Sequence, residues 1–405
     1  MRIQERVSHA AMDCHRTFSR LTARDAENRV LFRRRLEHKD RAAMRNQFKL
    51  LPAATPVIIE GTFGWGWMAD ELEACGLRAY LSNSRAVDGW RKSRGLAKTN
   101  TIDADLLSEL WLERPHWWNV WLAPREVRDQ REWLRYRMGL VHIQTMTKCR
   151  IHATLHRHGI LHPYSDVFGS RGRVWLKELT EAQDSPLRES SRRTLEGHLC
   201  LLGQLRRQIA QVTRELRRQV RRSAAARRWD TLPGIGWVLA YSIQAEIGDI
   251  GRFGNHKKLA RYSLLAPVAD DSGEETDGRP VGRHVGHMGR QTLKWAFIEA
   301  ARGAVKKSPR FRAIFDRRTE GGKRDKNRGY IAVARHLCHI GYVCQKKGVD
   351  YMEHRPPRPG ERLPSPAAAS VDSCPELGQP ETPMIRLNQR RGRKAPEPRP
   401  RSSVK

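Results

Sequence analysis

The chain has 405 residues, of which 76 are Lys or Arg and 44 are Asp or Glu, so its formal net charge is +32. This length allows two or three domains with substantial cores. The basic excess runs through nearly the whole sequence. It predicts a polyanionic partner, because Lys and Arg neutralise phosphates and release counterions. A merely charged surface on an ordinary soluble protein would not need so large an imbalance.

The first third of the sequence alternates strand and helix patterns. In chain order it predicts the strands Val7–Met12, Thr17–Thr22 and Asn28–Leu36, the helix Lys39–Leu51, the strand Val57–Ile59, the helix Met68–Cys75, the strand Arg78–Leu81 and the helix Thr101–Leu112. This order predicts an α/β N-terminal domain with an RNase H-like (RuvC-like) fold over residues 1–122.

Three acidic residues stand at particular places in this predicted domain. Asp13 follows the first strand, Glu60 follows the fourth strand, and Asp103 lies on the last helix. In an RNase H-like sheet these places meet, and clustered carboxylates in a basic protein hold Mg²⁺. Acidic residues at strand ends also serve solubility, so one alone means little. Three together predict a magnesium site.

Two long helices are predicted in the middle of the chain, Arg125–His158 and Thr194–Ala226. The second carries a heptad seam. Its members are Leu195, Leu202, Leu205, Ile209, Val212 and Leu216. The pattern predicts a helical coiled-coil region over residues 123–228. Its partner is either the first long helix of the same chain or another protomer.

A mostly helical C-terminal domain is predicted over residues 229–350. The turn Leu232–Gly236 precedes an apolar helix, Trp237–Ile247. Such a helix-hairpin-helix-like turn presents N–H groups to a phosphate, but it also suits a plain turn between core helices. Ser272, followed by a glycine in a polar loop, is either a nucleophile or a turn serine. The predicted nucleic-acid-binding residues are Gly234, Gly236, Arg283, Arg290 and Lys294.

Residues 351–405 are rich in Pro, Arg and Ser and predict a disordered basic tail. The seven cysteines are scattered without a Cys-x-x-Cys pair, which favours a reducing compartment. Neither a bilayer-spanning run nor a signal-peptide core is evident in the sequence. We therefore expect a cytoplasmic, nucleoid-associated protein without a membrane partner.

The C-terminal sequence resembles the transposase domain of the IS one-ten family, the Piv/MooV group of DEDD transposases. The matching phrases are Pro233–Gly236, Glu246–Phe253, Leu259–Pro267, Ser272-Gly273, Arg279–Gly289 and Leu293–Ala301. The N-terminal sequence is similar to the family's RuvC-like domain. Its matching phrases are Asp13-Cys14-His15, Glu60 and Lys98–Ala104.

The resemblance implies a DNA transposase that works with Mg²⁺. It implies that Asp13, Glu60 and Asp103 hold the metal and that Ser272 attacks a DNA phosphate. It also implies a structured non-coding guide RNA and a homo-oligomer, a dimer or a tetramer, acting on element ends and target DNA. The alternatives are a RuvC-like nuclease or resolvase that uses water, and a catalytically impaired nucleic-acid-binding protein.

Asn100 departs from the family pattern, since it stands where the family has its third acid. Residues three apart on a helix share a face, so Asn100 and Asp103 are expected to point together. Asn100 supplies a neutral oxygen ligand without the charge. Asp105 is close in sequence but is expected on another face, which makes it a weak substitute.

Overall fold

A computed structural model describes residues 3–62, 64–114, 117, 120–269, 282–285 and 289–352. These residues belong to one unit that extends to Met352. The predicted tail therefore lies almost wholly outside the described residues. The finer domain boundaries stay predictions.

The N-terminal region contains a mixed five-stranded sheet in the order β3-β2-β1-β4-β5. Strand β1 pairs antiparallel with β2 and parallel with β4, and β5 continues the parallel side. The strands are β1 (His9–Cys14), β2 (Phe18–Arg24), β3 (Val30–Glu37), β4 (Pro56–Ile59) and β5 (Arg78–Leu81). All five lie where the sequence predicted strands, so the α/β N-terminal domain is confirmed.

Helices cover both faces of this sheet. They are α1 (Arg41–Phe48), α2 (Trp65–Ala74), α3 (Ser84–Ser93) and α4 (Asn100–Glu113). One apolar cluster joins α1 and α2 to Ala10 and Met12 of β1, and another joins α3 and α4 to Ala11. The central strand is thus buried on both faces, and successive residues face different helices.

Two long helices dominate the middle of the chain. They are α5 (Arg125–Arg157) and α7 (Glu189–Arg222), with α6 (Ser170–Glu181) between them in sequence. Helices α5 and α7 pack along each other. The predicted seam residues of α7 are buried apart from Ile209, which is partly buried. The seam partner therefore includes α5 of the same chain.

The second long helix was predicted to run to Ala226, but it ends at Arg222. Ser223 leaves the helical conformation, and its hydroxyl accepts a hydrogen bond from Ala226 N at 3.1 Å. Ser223 thereby caps a new helix, α8 (Ala224–Asp230). A serine that caps the next helix interrupts a pattern that otherwise looks continuous.

The C-terminal region packs helices around a core that includes Trp229, Phe297, Phe311 and Leu337. The helices are α9 (Trp237–Ile247), α10 (His256–Tyr262), α11 (Gln291–Lys307), α12 (Pro309–Thr319) and α13 (Lys326–Lys347). Two short antiparallel strands, β6 (Pro267–Ala269) and β7 (Gly282–Val285), accompany them. Among the described residues, none of the helices is both long and apolar enough to cross a membrane.

Candidate active site

Asp13 and Glu60 lie side by side at the ends of neighbouring parallel strands. Met12 of β1 pairs with Ile59 of β4, so the residues that follow them are adjacent. One pair earlier, Ala11 and Ile58 lie in the apolar cluster beneath α4. Because side chains alternate along a strand, both carboxylates emerge on this same face.

Helix α4 brings Asn100 and Asp103 to the same place. The helix begins after Thr99, whose hydroxyl accepts a hydrogen bond from Ile102 N at 3.2 Å. Leu106 and Leu110 fix its other end against the sheet. The first turn, which carries Asn100 and Asp103, is thereby held over the strand ends.

These four residues line one cleft of about 430 Å³. We call it the acidic cleft. Its remaining polar wall comes from residues that the sequence analysis did not assign to the site, namely His15, Thr62, Ser84, Arg85, Asp88, Arg91 and Lys98. Several of them lie on α3, which was not predicted. The local signal was Asn83, whose side chain caps the helix by accepting from Ala86 N.

Neighbouring carboxyl groups of the acidic cleft disfavour the charge of Glu60 and of Asp13. Burial, then the charges of Asp13 and Asp103, raise the pKa of Glu60 from 4.5 to about 7. Burial also raises the pKa of Asp13 and of Asp103. His15 opposes this rise at Asp13, and Arg91 and Lys98 oppose it at Asp103. The cleft therefore contains more acid than its own cations balance.

Arg91 is the best-anchored cation of the cleft. Its guanidinium donates to Leu96 O at 2.9 Å and to Asp88 Oδ1 at 2.7 Å. Its Nε lies 3.9 Å from Asp103 Oδ1. Arg91 thus places a fixed positive charge beside the carboxylate of α4 and leaves Asp13 and Glu60 to other partners.

The donor set suits a hard divalent cation, which prefers oxygen ligands. Asp13 Oδ2 is buried and accepts no hydrogen bond from the described residues, although His15 Nε2 lies 3.0 Å away. A cation at this oxygen would satisfy it. As they stand, the described His, Cys, Asp and Glu side chains form no group of three that could hold a metal ion. Binding would require the carboxylates to draw together.

Asp105 does not substitute for the missing third acid. Its carboxylate accepts from Arg33 Nη2 at 2.7 Å and from Thr22 Oγ1 at 3.0 Å. These partners lie on β3 and β2, away from the acidic cleft. Asn100, by contrast, lines the cleft beside Asp103. This placement agrees with the expectation that Asn100 and Asp103 share one face of the helix.

Ser272 and Gly273 lie outside the described residues. The strands β6 and β7 flank their segment in sequence and pair with each other, Pro267 opposite Val285. Arg283 belongs to β7, but its side chain is also outside the description. The roles of Ser272 and Arg283 therefore stay predictions.

The glycine turn packs closely against α11. Gly234 has a φ of +80°, and a Cβ there would lie 2.1 Å from Ala300 O and 2.3 Å from Ala304 N. Close backbone approach therefore requires glycine at this position whether or not it contacts phosphate. Gly236 is different, because a Cβ there would meet nothing within 4 Å. It precedes α9 without a side-chain cap.

Arg290 takes part in a network around the buried Glu246. Its Nε donates to Tyr262 Oη at 3.0 Å and lies 3.7 Å from Glu246 Oε2. Arg131 and Arg135 of α5 lie 3.7 and 3.9 Å from the same carboxylate. We call this group the arginine cage. Arg290 therefore has a structural role that its sequence context did not indicate.

Lys294, the last predicted nucleic-acid-binding residue, lies half-buried in the first turn of α11. Its role in binding nucleic acid stays a prediction.

Two family models match this chain. Residues 10–160 match a model described as "Transposase", and residues 226–316 match one described as "Transposase IS116/IS110/IS902 family". Together they span more than half of the chain. The chain belongs to this transposase family. The first match contains the four predicted residues of the acidic cleft. The second contains Ser272 and all the predicted nucleic-acid-binding residues.

A relative in this family is the "Insertion element IS116 uncharacterized 44.8 kDa protein" of Streptomyces clavuligerus. It is 32% identical to this chain over 92 residues, which are 23% of this chain and 22% of the relative. The similarity thus spans less than a quarter of the relative's length.

Proposed function

We propose that this protein is the transposase of an insertion sequence, a site-specific DNA recombinase. It would cleave and exchange DNA strands with Mg²⁺ and a serine nucleophile. The observation that carries this proposal is the convergence of Asp13, Glu60 and Asp103 on one cleft of a strongly basic protein. Membership in the transposase family supports it.

The N-terminal region would be an RNase H-like domain. The strand order β3-β2-β1-β4-β5 supports this, with three antiparallel strands followed by two parallel ones. The positions of the acids support it too, because they lie on the central strand, after its parallel neighbour and on the helix that packs over both. We also propose domain boundaries near residues 122, 228 and 350. The apolar clusters of the N-terminal sheet and of the C-terminal helices are separate, but the cluster between α5 and α7 includes Tyr241 and Ala245 of α9.

The magnesium ion would be held by Asp13, Glu60 and Asp103, with the amide oxygen of Asn100 as a neutral ligand. When bound, the metal supplies positive charge that favours an ionised serine and offsets charge at phosphorus. Arg91 would hold Asp103 in orientation through its fixed position. Lys98 and Arg85 line the same cleft and would attract the DNA backbone.

Ser272 would attack a DNA phosphorus atom, lose its proton and displace a DNA hydroxyl. The product is a phosphoserine ester that conserves the energy of the phosphodiester bond. The hydroxyl of a second DNA end can then attack this ester and release the serine, without an external energy source. This chemistry distinguishes a recombinase from a hydrolase.

A structured non-coding RNA would supply sequence specificity, while the protein contacts backbone and shape. The hairpin of α5 and α7 would serve as a coiled-coil element in a dimer or tetramer. Apolar side chains that stay exposed on α5 support this, among them Trp133, Tyr136, Ile143 and Met146.

A metal-dependent nuclease or resolvase that uses water is the second candidate. The acidic cleft alone would serve that reaction equally well, and Ser272 lies outside the described residues. A third candidate is a nucleic-acid-binding protein with impaired catalysis, which is motivated by Asn100.

A gel assay for covalent protein–DNA adducts separates these candidates. The protein is incubated with Mg²⁺, DNA carrying the element ends and RNA transcribed from the flanking non-coding region. Ser272→Ala and Asp13→Ala are run beside it, with Asp105→Asn as the matched acidic control. The proposal predicts an adduct that requires Ser272 and Asp13 and persists in Asp105→Asn.

Cleavage without an adduct, unaffected by Ser272→Ala, would establish the nuclease instead. Binding without cleavage or adduct would support the impaired protein, provided that Asn100→Asp does not restore activity.

A further inference from the structure

A second cleft, of about 400 Å³, lies among the C-terminal helices. Helices α10, α12 and α13 supply side chains that carry nitrogen donors. They are His256, Lys257, Arg318, Arg335, His336 and His339. We call this cleft the histidine pocket. Its remaining wall is formed by Ala260, Ala266 and Ala332, whose small side chains leave space between the basic groups.

The positive charge of the histidine pocket is not balanced by the described part of the chain. Its lining contains no carboxylate. On α12, Asp316 lies 3.8 Å from Arg312. Just beyond that helix, Glu320 lies 2.8 Å from Arg324. Both acids thus face arginines outside the pocket. Unbalanced cations around a recess are an electrostatic site for an anion.

The histidines of the pocket are close enough to disfavour each other's protonation. The rings of His256 and His339 stack with their centroids 3.9 Å apart. Partial burial, then the neighbouring charge of His256, lowers the pKa of His339. Partial burial, then the charges of Arg310, His339, Arg317 and Arg335, lowers the pKa of His336. An anion between these groups would relieve this repulsion.

We infer that the histidine pocket binds a phosphate of a nucleic-acid backbone. Arginine and lysine supply charge and forked donors to phosphate oxygens. The imidazoles supply further donors, and the alanine wall leaves room for the adjoining sugar.

This inference rests on the proposed function, because it assumes a nucleic-acid partner. It adds a second contact region, far from the acidic cleft in sequence and built by separate helices. Four of its six basic residues, those on α12 and α13, follow the family match that ends at residue 316. The site is therefore not implied by that match.

The first test is chemical footprinting of the full chain with diethyl pyrocarbonate, read by peptide mass spectrometry. The probes are duplex DNA, a hairpin RNA of equal length, inorganic phosphate and pyrophosphate. We expect nucleic acid to protect His256, His336 and His339 at concentrations near the protein's own. Millimolar phosphate should not protect them. Comparison of the DNA and RNA arms identifies which backbone occupies the pocket.

The second test compares two charge-matched double variants. Arg318→Gln with Arg335→Gln removes pocket charges, while Arg312→Gln with Arg324→Gln removes the same charge outside it. Loss of two phosphate contacts should reduce the slope of log K against log salt by about 2 in the pocket variant only. Circular dichroism melting verifies that both variants fold.

Equal slopes in the two variants, or histidines that stay reactive with nucleic acid bound, would overturn the inference. Protection by free phosphate without a slope change would also overturn it and identify a small-anion pocket. If the unchanged chain still binds DNA and forms the Ser272 adduct in these cases, the proposed function stands. If the chain binds neither DNA nor RNA, the inference about the histidine pocket and the proposed function both fail.

Discussion

Two glutamates of this protein lie in opposite electrostatic settings, one partly buried and one fully buried. Glu60 lies in the acidic cleft with Asp13 and Asp103, and its pKa is raised to about 7 by burial and by their charges. Glu246 lies in the arginine cage with its side chain 1% exposed and three guanidinium groups within 3.9 Å. At Glu60 burial and the neighbouring carboxylates outweigh the charge of Lys98, whereas Glu246 has three guanidinium groups around it.

The contrast distinguishes a site from a structural contact. A carboxylate that the fold surrounds with arginines stabilises packing, and in this case it joins α9 to α5 and to the start of α11. A carboxylate that the fold places beside other carboxylates raises the free energy of the folded chain until a cation arrives. On this physical ground we assign the proposed chemistry to the acidic cleft rather than to the arginine cage.

The largest expected effect is that of Asp13→Asn on strand cleavage. Losing this central ligand should reduce adduct formation about a thousandfold or more. Binding of element-end DNA should stay within a fewfold of the unchanged protein, because the basic surface is intact. Single-turnover adduct formation and filter binding measure the two quantities. Equal losses of adduct formation and of DNA binding would mean that Asp13 serves folding rather than catalysis.

The next effect compares the two glutamates directly. Glu246→Gln should reduce the free energy of unfolding by about 3 kcal/mol, because Arg131 would be left buried without its counter-charge. Glu60→Gln should leave stability unchanged or raise it at pH 8 without metal. Urea midpoints followed by tryptophan fluorescence measure both. If Glu60→Gln reduced the free energy of unfolding as much as Glu246→Gln does, the two glutamates would not differ in their structural role.

A smaller effect is expected from Asn100→Asp. The added charge should strengthen Mg²⁺ binding about tenfold, since hard cations respond to the charge count of their oxygen ligands. The magnesium concentration for half-maximal adduct formation should fall accordingly. No change in the magnesium requirement would show that position 100 does not contact the metal.

The smallest effect is the pH dependence of stability without metal. Since the pKa of Glu60 is raised from 4.5 to about 7, its protonated form stabilises the fold fully below pH 4.5. This contribution is lost as the pH rises towards 7. Relative to Glu60→Gln, the melting temperature of the unchanged protein should fall by about 1–2 °C over this range, a value reduced for partial exposure.

Added Mg²⁺ should remove this difference at pH 7. The predicted direction would be contradicted if, over the same pH range, the melting temperature of the unchanged protein rose relative to that of Glu60→Gln.

The sequence predicted the sheet and its acids because both depend on local patterns. Short apolar runs such as Val57–Ile59 are typical of strands that are buried on both faces, and they end at polar residues. Asp13 and Glu60 could therefore be placed at strand ends. The seam of α7 was equally readable, since Leu202 and Leu216 keep helical spacing. The elements that residue spacing alone predicts, the five strands and the two long helices, are thus present in the structure.

The missed features depend on contacts between distant segments. Helix α3 is short and contains Gly89, so Arg91 gave no signal beyond its charge. The arginine cage joins Glu246 to Arg131 on α5, and no local pattern at either residue indicates the other. The histidine pocket likewise combines α10, α12 and α13, whose basic residues look like solvated faces when each helix is considered alone.

The most direct test of the acidic cleft is metal binding by two variants of the same helix. Asp103 lines the cleft, whereas Asp105 is held outside it by Arg33 and Thr22. Calorimetric titration with Mg²⁺ should show that Asp103→Asn weakens binding about tenfold or more while Asp105→Asn leaves it unchanged. Equal weakening by both, or none by either, would contradict the assignment of the metal to this cleft.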